Sequence, residues 1–234
     1  MLLRIAGTDP FSFKKMRKIL FFLTFALMVL ATWMTLFYAP TEVVMGHVQR
    51  IFYFHMGTVW AATVAFTVVF VASICYLVKE TAKWDTLAYC SAEIGMLLLT
   101  LTIITGSIWA KPVWGTWWTW DPQLTTTFIL WVLYAVYLVL RSGAGGRGKK
   151  ARYSAIFAII AYVDLPVVYV SARIKRGISP VVFGPGGGGI DPAMMHTLLV
   201  TLLGFTLLFI LLLGERTRIM NMENQLYARG GRGG

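Results

Sequence analysis

Six long apolar runs divide this chain, at 19–38, 51–78, 87–110, 124–140, 153–172 and 194–213. None alternates apolar and polar positions as a half-buried strand does. Each is about the length that crosses ~30 Å of hydrocarbon as a helix rising ~1.5 Å per residue. A single segment in lipid must satisfy its own backbone, which a helix does and a lone strand does not. The pattern predicts an all-α integral membrane protein, one domain of six transmembrane helices over residues 1–234. The second run is long enough to tilt or to project beyond the bilayer.

Composition agrees with that class. Hydrophobic residues make up 58% of the chain and charged residues 13%, against about half and a quarter in soluble domains. The net charge of +11 is then a record of topology rather than a sign of nucleic-acid binding. Arg4, Lys14, Lys15, Arg17 and Lys18 precede the first run, and Lys79 and Lys83 separate the second from the third. Arg141, Arg147, Lys149, Lys150 and Arg152 separate the fourth from the fifth, and Arg216, Arg218, Arg229 and Arg232 follow the sixth. The alternate connections carry only Arg50, Lys111, Arg173, Lys175 and Arg176. This bias predicts cytoplasmic termini and puts the connections 39–50, 111–123 and 173–193 on the outer face.

Several chemistries are absent. Cys75 and Cys90 form no CxxC or CxxCH, so there is no disulfide framework, thiolate metal site or c-type haem attachment. The run 184–189 (GPGGGG) lacks a following Lys-Ser/Thr and is no phosphate loop. The first apolar run is too long, and lacks the small-residue cleavage site, for a removed signal peptide. The Gly/Arg-rich stretches 142–150 and 228–234 are expected to be flexible.

The most informative segment is 114–125, WGTWWTWDPQLT. Five of the nine tryptophans fall between Trp109 and Trp120. Interfacial belts account for Trp33, Trp60, Trp84 and Trp131, but not for Trp114, Trp117, Trp118 and Trp120 crowded together. Indoles supply broad apolar faces with one N–H each, a surface suited to a large planar ligand. Asp121 stands where it can cap the fourth helix or accept indole N–H bonds.

Histidines come next, because neutral imidazole is a favoured iron ligand. His55 and His196 lie near the outward starts of the second and sixth runs, at depths that differ by only ~3 Å. His47 belongs to the first outer connection. Any one of them is accounted for as an interfacial polar residue; two at matching depth beside a tryptophan cluster suit axial ligation of an iron tetrapyrrole. Glu93, toward the cytoplasmic end, reads as structural. Asp164, two residues before Pro166, reads either as a hydrogen-bonded acid or as a functional intramembrane carboxylate. No carboxylate pair or nucleophile context suggests an enzyme.

The segment 114–125 resembles the tryptophan-rich WWD signature of haem-handling proteins in cytochrome c maturation. The six-span length is similar to the CcmC type rather than to the larger CcmF or CcsA types. Segments 46–55 (GHVQRIFYFH), 91–112 (SAEIGMLLLTLTIITGSIWAKP), 163–166 (VDLP) and 190–194 (IDPAM) extend the likeness over most of 40–213. The resemblance implies transient binding of b-type haem at the outer face of the bacterial inner membrane. The tryptophan loop would hold it, with two histidines from the flanking outer connections as axial ligands. Delivery would be to the covalent haem chaperone CcmE, beside the ABC-type subunits CcmA and CcmB and the small membrane protein CcmD. His55 matches the first family histidine, and Trp114, Trp117, Trp118, Trp120 and Asp121 match the loop motif.

Two positions depart from the pattern. Gln123 stands where the family usually has an Arg able to pair with a propionate. Ser179 stands at the place of the second histidine, leaving His196 as a substitute ligand, His47 as a weaker one, or iron that is five-coordinate or bound to an external ligand. Arg173, Lys175 and Arg176 are candidates for the propionates or an acidic partner. Two other functions stay open: a CcsA-like component of cytochrome c–haem ligation, and a permease subunit moving haem or a small molecule, which Asp164 and Pro166 alone would serve.

Overall fold

The structure is a computed structural model and describes residues 10–143, 146–174 and 190–230. Its helices are α1 (Pro10–Trp33), α2 (Ile51–Lys79), α3 (Ala82–Trp114), α4 (Pro122–Ser142), α5 (Arg147–Tyr162), α6 (Asp164–Ile174) and α7 (Pro192–Gly230). A π-helical turn, Met34–Tyr38, ends α1, and a 3₁₀ turn, His47–Arg50, leads into α2. Among the described residues there is no strand, only an isolated bridge between Glu42 and Gly46. Six segments are long and apolar enough to cross a membrane, α5 and α6 together forming the fifth.

The fifth span breaks at Val163, whose N–H bonds the Ile160 carbonyl at 3.1 Å. Pro166 explains the break, since proline removes an N–H and its ring crowds the carbonyl one turn back. Other ends differ from the apolar runs. α3 continues past Ala110 to Trp114, α5 begins at Arg147 within the Gly/Arg-rich stretch, and α7 runs to Gly230. Hydropathy stops where charge begins, but helices with good formers and no breaker continue into water. Residues 228–230, expected to be flexible, are therefore helical.

The centre is the α2–α3 hairpin, turned by Glu80 and Thr81, with Glu80 in the left-handed region at φ 47°. In lipid, helices gain no hydrophobic drive from one another, so small residues that permit close approach decide the pairing. Ala61, Ala62 and Ala65 on α2 are buried, as are Ala88, Ser91 and Ala92 on α3. Ser91 donates to the Ala65 carbonyl at 2.8 Å. A Cβ at Gly95 would come within 2.8 Å of Phe66 Cε1. Phe66 in turn stacks on Tyr134 of α4, centroids 3.7 Å apart.

α7 packs on α1, α2 and α3, while α5 joins α2 and α4. Tyr162 stacks on Phe70 at 4.3 Å, and Tyr169 of α6 shares a 2.8 Å hydrogen bond with Thr63. At the end of the bundle where α2 ends and α3 begins, two arginines hold acids. Arg141 of α4 takes Asp85 through two hydrogen bonds, one of 3.0 Å, and Arg216 of α7 takes Glu93. Glu93, read from the sequence as structural, is thus held by Arg216.

Candidate functional site

At the opposite end, α2 begins, α3 finishes and α4 starts, and the segment 115–121 joins the last two. Its shape follows from a few polar groups. Gly115 closes α3 at φ +75°, its N–H returning to the Lys111 carbonyl at 3.0 Å; a side chain there would be strained. Lys111 Nζ donates to the Gly115 carbonyl at 2.9 Å, as cations at helix C-termini do. Thr116 donates to the Trp118 carbonyl at 2.9 Å. Asp121 caps α4, Oδ1 accepting from the Leu124 N–H at 3.0 Å while Oδ2 accepts from the Thr119 hydroxyl at 2.7 Å. Pro122 then occupies the first helical position, where its missing N–H costs nothing. Of its two expected roles, Asp121 takes the cap.

The result is a cavity of about 160 Å³ walled by His55 and Val59 of α2, Gly106, Trp109 and Trp114 of α3, Trp117 and Trp118 of the connection, Gln123 of α4, and Leu165 and Tyr169 of α6. The walls are mostly aromatic and aliphatic. The rings lock one another: Trp109 lies 6.0 Å from His55, 5.4 Å from Trp114 and 5.7 Å from Phe52, measured between centroids. Trp118 meets Trp120 edge-on at 5.8 Å, and Trp120 meets Phe128 at 6.0 Å. Trp117 and Trp120 are 58% and 71% exposed, so the cluster presents an uncovered outer edge as well as a lined interior.

Not every expected residue comes to this cavity. His55, Trp114, Trp117 and Trp118 do; Trp120 meets Trp118 edge-on and Asp121 holds Thr119, neither of them lining it. His196 is the fifth residue of α7, as His55 is of α2. It does not line the cavity, however; it is exposed and its Nδ1 lies 3.3 Å from the Tyr38 hydroxyl. His47 is exposed on the 3₁₀ turn. Lys175, Arg176 and Ser179 lie outside the described residues, and Arg173 is described only as helical backbone.

Sequence reasoning gave no role to Trp109, Gly106, Thr105 or Tyr169. The signal for the α3 set was available: Thr102, Thr105, Gly106 and Trp109 recur at intervals of three and four, one face of a helix.

The chemistry of these walls suits a porphyrin. Its own nitrogens supply the equatorial ligands, so one imidazole is enough to fix the iron. Gly106 leaves room beside that imidazole, for a Cβ there would sit 3.0 Å from His55 Cε1. Trp109 and Trp118 each keep a buried indole N–H without a partner among the described residues, donors that a ligand oxygen can satisfy. The volume is below the usual ~300–1,000 Å³ of a site that engulfs its ligand. A ligand as large as a porphyrin would be enclosed only in part.

Comparison with known proteins agrees with this description. The family model described as CcmC, Heme exporter protein C, matches residues 7–230. The chain is 30% identical to the Heme exporter protein C of Bradyrhizobium diazoefficiens, over 82% of this chain and 72% of that protein. It is 31% identical to the Heme exporter protein C of Haemophilus influenzae, over 88% and 84%. A shorter likeness, 44% identity over 40% of this chain and 29% of the relative, links it to the cytochrome c biogenesis protein CcsA of Prochlorococcus marinus. Six membrane-spanning helices and these relatives define a multi-pass membrane protein of the haem-handling class. The chain belongs to the CcmC heme exporter protein C family.

Proposed function

We propose that this chain binds b-type haem transiently at the outer face of the bacterial inner membrane and delivers it to a CcmE-type chaperone during cytochrome c maturation. The observation that carries the reading is the convergence of His55 with Trp109, Trp114, Trp117 and Trp118 on one cavity in a member of the Heme exporter protein C family. Haem is cargo here. His55 holds its iron through one nitrogen, and the tryptophans bury part of the macrocycle and keep water from it. Gln123 and the unpartnered indole N–H groups receive ring carboxylates by neutral hydrogen bonds, in place of the ion pair an arginine would supply. The small volume supports delivery: a haem only partly enclosed keeps an edge accessible to an acceptor.

The distribution of Lys and Arg supports an outward-facing tryptophan end. A single protein ligand fits the positions of His55 and His196 better than two do, with iron five-coordinate or capped by a small external ligand. CcmA, CcmB and CcmD are the expected neighbours. No chemical step is asked of the chain, so it acts as a carrier rather than an enzyme. The likeness to CcsA supports a second reading, presentation of haem directly to an apocytochrome, at the same site.

The test is transfer. Haem-loaded protein in nanodiscs is mixed with a purified CcmE-type chaperone and, separately, with an apocytochrome c bearing reduced CxxCH thiols. Haem appearing covalently on the chaperone alone supports the proposal; haem on the apocytochrome alone overturns it in favour of the second reading.

A further inference from the structure

Thr105 has one hydroxyl hydrogen and three neighbours. Its Oγ1 lies 2.7 Å from the Leu101 carbonyl, 3.2 Å from the Thr102 carbonyl and 3.1 Å from His55 Nδ1. Carbonyl oxygens only accept, so both compete for the same proton, and the Leu101 bond is the shortest of the three. With the hydroxyl proton committed to the helix backbone, Thr105 has only lone pairs to offer His55. The imidazole must then carry its proton on Nδ1.

We infer that Thr105 is a positioning residue that fixes His55 as the Nδ1–H tautomer and so directs the unprotonated Nε2 to the ligand. This rests on the reading of His55 as the iron ligand, and it names the device that makes His55 ready for that task. A metal-bound histidine commonly donates its second ring N–H to an oxygen, which sets both tautomer and ring orientation. The partner is usually a carboxylate or carbonyl; here the Thr105 hydroxyl, itself polarised by its back-bond to α3, shares that place with the Thr102 carbonyl, which the ring also meets. Gly106 completes the arrangement. It leaves the imidazole against bare backbone, with His55 Cε1 3.0 Å from where a Cβ would be, while Trp109 of the same helix flanks the ring at 6.0 Å. The ring is thereby held between α2 and α3 independently of any ligand.

The test reads the tautomer in haem-free protein. The chain has three histidines, so ¹⁵N-histidine labelling gives a simple spectrum in which His55 is assigned by its loss in His55→Ala. A protonated Nδ1 and unprotonated Nε2 in the wild type are expected. Thr105→Val, nearly isosteric but unable to accept, should release the tautomer preference, and Thr105→Ser should keep it. An Nε2–H tautomer in the wild type, or one unchanged in Thr105→Val, overturns the inference. If Thr105→Val does not fold, Thr105→Ala, which removes the same hydroxyl, is read in its place. Haem titration of the same proteins separates this from the functional reading. About a tenfold weaker affinity for Thr105→Val, with Thr105→Ser near wild type, is the expected effect. A wild type that takes up no haem at all defeats the functional reading while leaving the tautomer result to stand or fall by its own spectrum.

Discussion

Arg216 of α7 grips Glu93 of α3 through two hydrogen bonds, Nε to Oε2 at 2.7 Å and Nη2 to Oε1 at 3.0 Å. Both side chains are little more than a quarter exposed, so each charge depends on the other for most of its solvation. Removing Glu93 leaves Arg216 only the more exposed Glu223, at 4.0 Å, and a charge left with a poorer partner costs more than the pair itself contributes. Glu93→Ala is expected to destabilise the bundle by roughly 1.5–3 kcal/mol, read as an earlier midpoint in detergent-denaturation titrations. The exposed pair of Arg152 and Glu80, 3.7 Å apart, should by contrast be nearly silent on mutation.

Close packing of α2 on α3 gives a second expectation. Because a Cβ at Gly95 would stand 2.8 Å from Phe66 Cε1, Gly95→Val must displace Phe66 and with it the stack on Tyr134. Overpacking of this kind costs about 1–3 kcal/mol. Gly146→Ala, with nothing among the described residues within 4 Å of the new methyl, is the control for packing and should cost no more than the ~1 kcal/mol by which an N-cap favours Gly over Ala.

The tryptophan connection is held by Asp121. Asp121→Ala removes both the α4 cap and the Thr119 bond, a loss of about 1 kcal/mol from the cap alone. Faster amide exchange should appear in residues 116–125 while the α2–α3 core is unaffected. Asp121→Asn, still able to accept from Leu124, should retain most of the protection.

Room beside His55 is supplied by Gly106. Gly106→Val puts branched carbon against the imidazole, where even one Cβ comes within 3.0 Å, and narrows the cavity while keeping His55 itself. A loss of haem affinity of about tenfold or more, ~1.4 kcal/mol, is expected by absorption titration, with the fold intact by circular dichroism.

Much of this was legible in the chain. Six spans follow from hydropathy because lipid demands continuous apolar helices, and the Asp121-Pro122 start of α4 follows from capping chemistry. The His55–tryptophan cavity was legible from depth and composition together. His196 shows where that reasoning ends. It stands as far into its helix as His55 does, but that is one coordinate, and the face a helix turns to its neighbours depends on packing that a single sequence does not display. Trp109 and Thr105 were passed over for the same reason: inside an apolar run they look like an interfacial aromatic and an ordinary intramembrane hydroxyl until α2 is laid against them. The pairs Asp85–Arg141 and Glu93–Arg216 join residues on different helices, and only the tertiary arrangement reveals which acid meets which base.

The central claim is that His55, within the tryptophan cavity, is the protein ligand to haem iron. Its most direct measurement is the absorption spectrum of the purified protein, expressed with ample haem, beside those of His55→Ala and His196→Ala. A Soret band in the wild type and in His196→Ala, lost or strongly shifted in His55→Ala, is the predicted result. A wild type without a Soret band, or a band that survives His55→Ala unchanged, would contradict it.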